Sequence, residues 1–108
     1  MEGFWTVQFQ GVQGMGAGVI TLIGGQLFGG DSGFLYKGTY TQQGDNLTAQ
    51  VQVKRYASGM PSVMGQEQFS LQLTGIVQGN SGKLTGAVPG TPLKFSAVIT
   101  KQGDLPKA

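Results

Sequence analysis

The stretch Leu47-Thr48-Ala49-Gln50-Val51-Gln52-Val53-Lys54 alternates apolar and polar residues without a break. Successive side chains of a β-strand point to opposite faces, so this pattern describes a strand with one dry face and one wet face. Working outward, Phe69-Ser70-Leu71-Gln72-Leu73-Thr74 repeats it, as does Leu93-Lys94-Phe95-Ser96-Ala97, which carries on through Ile99. Near the start, Trp5, Val7 and Phe9 share one face, with Thr6, Gln8 and Gln10 on the other. No stretch places apolar residues at helical spacing between helix caps. The 20 glycines among 108 residues also disfavour helices, at about 1 kcal/mol each relative to Ala.

Turn signals punctuate the alternating runs: Gln13-Gly14, Gly24-Gly25, Gly44-Asp45-Asn46, Gly79-Asn80-Ser81-Gly82 and Pro89-Gly90-Thr91-Pro92. Gly24-Gly25 reads as a two-residue hairpin, because adjacent glycines tolerate the positive φ of a primed turn. Eight strands follow, over 3–10, 16–23, 26–31, 34–42, 46–56, 67–77, 83–88 and 93–101. All their connections are short except Ala57 to Gln66. Sequential strands with short turns predict an up-and-down meander, and closing it into a barrel removes both sheet edges. A two-sheet sandwich is the rival, but it calls for more long crossovers. Gly3-Phe4-Trp5 is similar to the lipocalin signature, whose Trp plugs one barrel end. The expected fold is therefore all-β: an eight-stranded antiparallel up-and-down, lipocalin-like β-barrel, with residues 1–108 forming one domain. Glycines within strands (Gly18, Gly38, Gly75, Gly86) suit the sharp bends of so small a barrel.

Composition narrows the chemistry. The chain has no Cys and no His, and five carboxylates in total. That excludes a disulfide scaffold, a thiolate nucleophile and a Ser-His-Asp triad, and it leaves little for a metal site. No catalytic residue, metal or cofactor is expected. The sequence pI of about 9.1 reflects an excess of only two positive charges. Lys37, Lys83, Lys94 and Lys101 are scattered and only Lys54-Arg55 are adjacent, unlike the clustered bases of a nucleic-acid surface. Gly29-Gly30-Asp31 and Tyr36-Lys37-Gly38 lack the spacing and the helix start of a phosphate loop. Asp31 reads as a turn cap. The N-terminus shows no signal-peptide pattern and the apolar run Gly16–Gly25 is too short to span a bilayer, so a cytoplasmic location and no membrane partner are expected.

The predicted inward set is Trp5, Val7, Phe9, Leu47, Ala49, Val51, Val53, Phe69, Leu71, Leu73, Leu84, Val88, Leu93, Phe95, Ala97 and Ile99. Within it Trp5, Phe9, Phe69, Leu71 and Phe95 mark the barrel interior, expected to be mostly filled. Val19-Ile20-Thr21-Leu22-Ile23 is apolar on both faces, so a loop or a second chain must cover it. Ile20, Leu22, Ile76 and Val98 are the expected dimer patch. In the long loop, Met60, Pro61, Val63 and Met64 read as a plug folded over one mouth or as a segment packed outside.

Three segments carry a family resemblance: Gly3-Phe4-Trp5-Thr6-Val7-Gln8-Phe9; Gly24-Gly25-Gln26 through Gly29-Gly30-Asp31 to Tyr36-Lys37-Gly38; and Lys54-Arg55-Tyr56 with Pro61-Ser62-Val63 and Glu67-Gln68-Phe69-Ser70-Leu71-Gln72-Leu73. With them the chain resembles the GrlR-type negative regulators of bacterial type III secretion, over Gly3 to about Lys101. The resemblance implies a lipocalin-like barrel, a homodimer, a plug-like loop and sequestration of a transcriptional activator without DNA contact. It also implies a partner-binding turn after the fourth strand, here Gln42, Gln43, Asp45 and Asn46. That turn is acidic in the family pattern and holds one acid in this chain. The alternative function is a small carrier of an apolar ligand held among Trp5, Phe9, Phe69, Leu71 and Phe95.

Overall fold

The computed structural model describes residues 1–11, 14–58 and 67–106. The alternating runs form β1 (Gly3–Gly11), β2 (Gly14–Ile23), β3 (Gln26–Gly30), β4 (Phe34–Gln43), β5 (Asn46–Arg55), β6 (Gln68–Gln78), β7 (Ser81–Ala87) and β8 (Lys94–Gly103). Each strand pairs antiparallel with the next, and β8 pairs back with β1, so the sheet closes into an eight-stranded up-and-down barrel. The closing ladder carries an irregularity: Phe4 faces Gly103 while Trp5 faces Lys101, leaving Gln102 as an extra residue on β8. Such a bulge adds local twist where the cylinder must shut. Among the described residues no helix is long and apolar enough to cross a membrane.

The two ends of the barrel differ because their connections differ. At the base, β2–β3, β4–β5 and β6–β7 join through two residues each. Gly24 and Gly25 have φ of 57° and 79°, as a type I′ turn requires. Gly44 and Gly79, at 60° and 61°, supply the positive φ that a type II′ turn needs at its first central position. The mouth collects the β3–β4 and β7–β8 connections, residues 31–33 and 88–93, and the described ends of the β5–β6 connection, residues 56–58 and 67.

The core is the inner face of this cylinder. Trp5, Leu22 and Ile99 are its largest fully buried side chains. Trp5 lies at the base, where its indole N–H donates to the Met1 carbonyl at 3.1 Å. Two dimer-patch assignments are corrected by the pairing. Ile20 lies opposite the inward Trp5 and Leu22 opposite Gly3, and both side chains are buried inside the barrel. Residues directly opposite in a ladder share a face, so Trp5 settles an orientation that a doubly apolar strand leaves ambiguous. The outward apolar residues of the Val19–Ile23 run are Val19 and Ile23. Ile76 and Val98 are outward and exposed, as expected, but Lys83 stands between them in the β6–β7–β8 register.

Strand glycines serve the curvature. A Cβ on Gly38 would lie 1.9 Å from the Gln50 carbonyl oxygen, and one on Gly75 would lie 2.0 Å from that of Lys83. Only a residue without a side chain lets these neighbouring backbones approach so closely.

Candidate functional site

At the mouth, Asp31 organises the β3–β4 connection. Its Oδ1 accepts the N–H groups of Gly33 at 2.9 Å and Phe34 at 2.8 Å, the turn cap expected of it. The Tyr36 hydroxyl, which reaches back from β4, donates to Asp31 Oδ2. The next connection is tied to the same place. Tyr56 donates its hydroxyl to the Asp31 carbonyl at 2.7 Å and its N–H to the Gly33 carbonyl at 2.9 Å. Arg55 pairs with Glu67, donates from Nη1 to the Ala57 carbonyl at 3.1 Å, and sets its guanidinium 4.5 Å from the centre of the Phe34 ring. Both described ends of the long β5–β6 connection are thereby fastened beside β3–β4.

Burial, reinforced by the hydrogen bond to Asp31 and its charge, holds the Tyr36 phenol far above the ordinary tyrosine range. The phenol therefore keeps its proton and acts as a fixed donor to the carboxylate. Burial also raises Tyr40, a half-buried neighbour nearer the base.

Below this rim lies a chamber of about 220 Å³. Leu22, Leu27, Leu47, Val51, Leu71, Leu84 and Ile99 give it apolar walls, and the small Ala49 and Ala97 leave it room. Asp31, Tyr36 and Tyr40 supply polar groups to its lining. The interior is thus less filled than the inward aromatics suggest. Phe9, Phe69 and Phe95 are only half-buried and line the chamber rather than occupying its centre. Phe9 stacks on Phe95 at 5.7 Å between ring centroids and meets Tyr36 edge-on at 6.4 Å. Strand β2 makes space for both rings: a Cβ on Gly16 would lie 2.7 Å from the Phe9 ring, and one on Gly18 would lie 2.9 Å from the Tyr36 hydroxyl. Chemically, the arrangement is an apolar chamber with an oxygen-rich rim. Among the described residues no three His, Cys, Asp or Glu side chains come together.

The structure gathers some of the expected site residues and separates others. Trp5 closes the base, Leu71 forms wall, and Phe9, Phe69 and Phe95 stand toward the mouth. The expected plug residues Met60, Pro61, Val63 and Met64 lie outside the described residues. The expected partner-binding turn sits at the base, away from the Asp31 cluster. Two of its residues are engaged within the chain: Gln42 donates to the Gly44 carbonyl at 3.1 Å, and Asp45 accepts from the Gln78 amide at 3.1 Å and through its carbonyl from Val77 N–H at 2.8 Å. Phe34, Tyr36, Arg55, Tyr56 and Glu67 are absent from the expected site. The period-two run Phe34, Tyr36, Gly38, Tyr40 was the available signal for the inward tyrosines. The outer surface adds an apolar patch, in which Phe4 and Phe28 flank Thr21 while Val19 and Leu35 flank Gly30. All four of these apolar side chains are exposed.

No protein-family model matches the chain, and no curated protein matches it in sequence.

Proposed function

We propose that this chain is a non-catalytic regulatory protein of the GrlR type, which binds and sequesters a transcriptional activator of type III secretion genes. One observation carries the reading. Segments that carry the resemblance, far apart in sequence, supply Asp31, Tyr36, Arg55, Tyr56 and Glu67 to one bonded cluster at the barrel mouth. The closed barrel agrees with the fold that such regulators have. In this reading the protein works in the bacterial cytoplasm as a homodimer.

The contact with the activator differs from an acidic clamp, since the β4–β5 turn has one carboxylate and that group holds Gln78. The apolar patch of Phe4, Val19, Phe28 and Leu35 is the surface proposed to meet protein instead, because contiguous exposed apolar residues mark interaction sites. The test is deletion of the gene in the native host, with secretion-gene transcription measured, beside affinity purification of the tagged wild type and of a Phe28→Lys, Leu35→Lys double variant. Raised transcription in the deletion strain, and an activator recovered with the wild type alone, are expected. Unchanged transcription, with no activator recovered, overturns the proposal.

A further inference from the structure

The geometry points to a small-molecule site inside the barrel, independent of any protein partner: a site for a small phenol, alcohol or amine whose donor group meets Asp31 and Tyr36. Size, wall chemistry and polarity each constrain the ligand.

A dry cavity of about 150 Å³ lined by aliphatic and aromatic side chains takes up benzene. At about 220 Å³, this chamber suits one substituted ring or a chain of about eight to ten carbons, and it falls below the roughly 300 Å³ at which pockets for larger organic molecules begin. Trp5 and the tight turns close the base, so the ligand enters at the mouth.

The polar end is set by Asp31 and Tyr36. The Tyr36 hydroxyl donates its proton in a hydrogen bond to Asp31 Oδ2, so the phenol oxygen has only acceptor lone pairs left to offer a ligand in the chamber it lines. Asp31 contributes only acceptor oxygens; Oδ1 already holds two N–H groups, so Oδ2, which accepts the Tyr36 hydrogen bond on one lone pair, keeps the other for a ligand. A ligand hydroxyl or amine N–H satisfies these acceptors. A carboxylate does not, because it brings negative charge against Asp31 and no Lys or Arg lines the chamber among the described residues. The site thus selects against fatty-acid-like anions of the same size.

The test uses the full-length protein and three probes matched in shape: para-ethylphenol, ethylbenzene and para-ethylbenzoate. Calorimetric titration gives affinities, and NMR of the Ala49 and Ala97 methyl groups, which face the chamber, reports where binding occurs. The phenol is expected to bind about tenfold more tightly than ethylbenzene, the gain from one added hydrogen bond. The benzoate is expected to bind most weakly, and the phenol and ethylbenzene to shift both methyl signals. Tyr36→Phe removes the phenol acceptor but frees the Asp31 Oδ2 lone pair it held, so the preference for phenol over ethylbenzene should persist; Tyr36→Phe combined with Asp31→Ala should reduce it about threefold or more. Ala97→Leu should weaken both neutral probes by filling the chamber. The inference fails if the benzoate matches the phenol, if ethylbenzene matches the phenol, or if no probe shifts the Ala49 and Ala97 methyls.

Discussion

The Tyr36 hydroxyl donates to the Asp31 carboxylate across the β3–β4 connection, while the same carboxylate caps the N–H groups of Gly33 and Phe34. One side chain therefore holds three donors and fixes the wall of the mouth from which Tyr56 is also hung.

Replacing Asp31 by Ala removes all three interactions and is expected to destabilise the protein by about 3 kcal/mol, given the worth of hydrogen bonds to a charged acceptor. Asp31→Asn retains an Oδ1 acceptor and should cost about 1 kcal/mol. Urea denaturation measures both, as midpoint shifts at constant slope. Equal stability of Asp31→Ala and the wild type would remove Asp31 from its central place.

Tyr36 makes stability sensitive to alkali. Its folded-state pKa lies above the unfolded value of about 10. The folded protein then keeps a proton that the unfolded chain releases, so the contribution is complete below about pH 10 and declines above it. Thermal midpoints measured from about pH 8 to about pH 11 should fall at the alkaline end, and Tyr36→Phe should flatten that fall. Burial raises Tyr40 too, so a smaller slope should persist in the variant.

Leu22 and Ile23 are neighbours with opposite surroundings, at 1% and 45% exposure. Leu22→Ala should cost about 2–5 kcal/mol through the cavity it leaves. Ile23→Lys should change stability by no more than about 0.5 kcal/mol. Leu22→Lys should prevent folding, visible as loss of the β-sheet circular dichroism spectrum. A folded Leu22→Lys protein that merely changed its oligomeric state would contradict the inward placement.

Gly38→Ala forces a methyl group against the Gln50 carbonyl and should cost about 3 kcal/mol or more, because backbone must move to admit it. Gly103→Ala, where a Cβ meets nothing within 4 Å, is the control and should be close to neutral. Comparing the two thermal midpoints separates steric crowding from the general effect of adding a methyl group.

Much of the fold was legible in the residues. The unbroken alternation of Leu47–Lys54 and Phe69–Thr74, with glycine pairs and Gly-Asp or Gly-Asn turns between runs, identified all eight strands to within a few residues. Strand β7 begins at Ser81 and β2 at Gly14, each two residues before the expected start, because ladder pairing extends into glycine-rich positions that look like turns. The candidate site was less legible. Asp31 could be read as a turn cap, but nothing in a linear sequence joins it to Tyr56 or brings Arg55 over the Phe34 ring.

The sequence by itself determined strand number, tight turns and the facing of every strand with a clean alternation, because these depend on the two-residue period of an extended backbone and on local φ. Only the tertiary structure decided the facing of β2, where Ile20 and Leu22 compete with Val19 and Ile23, since the choice rests on the strands beside it. Closure likewise decided that Phe9, Phe69 and Phe95 line a chamber of about 220 Å³ instead of filling it. The volume inside a barrel is set by how far the strands tilt and stagger as the sheet shuts, and no single strand carries that information.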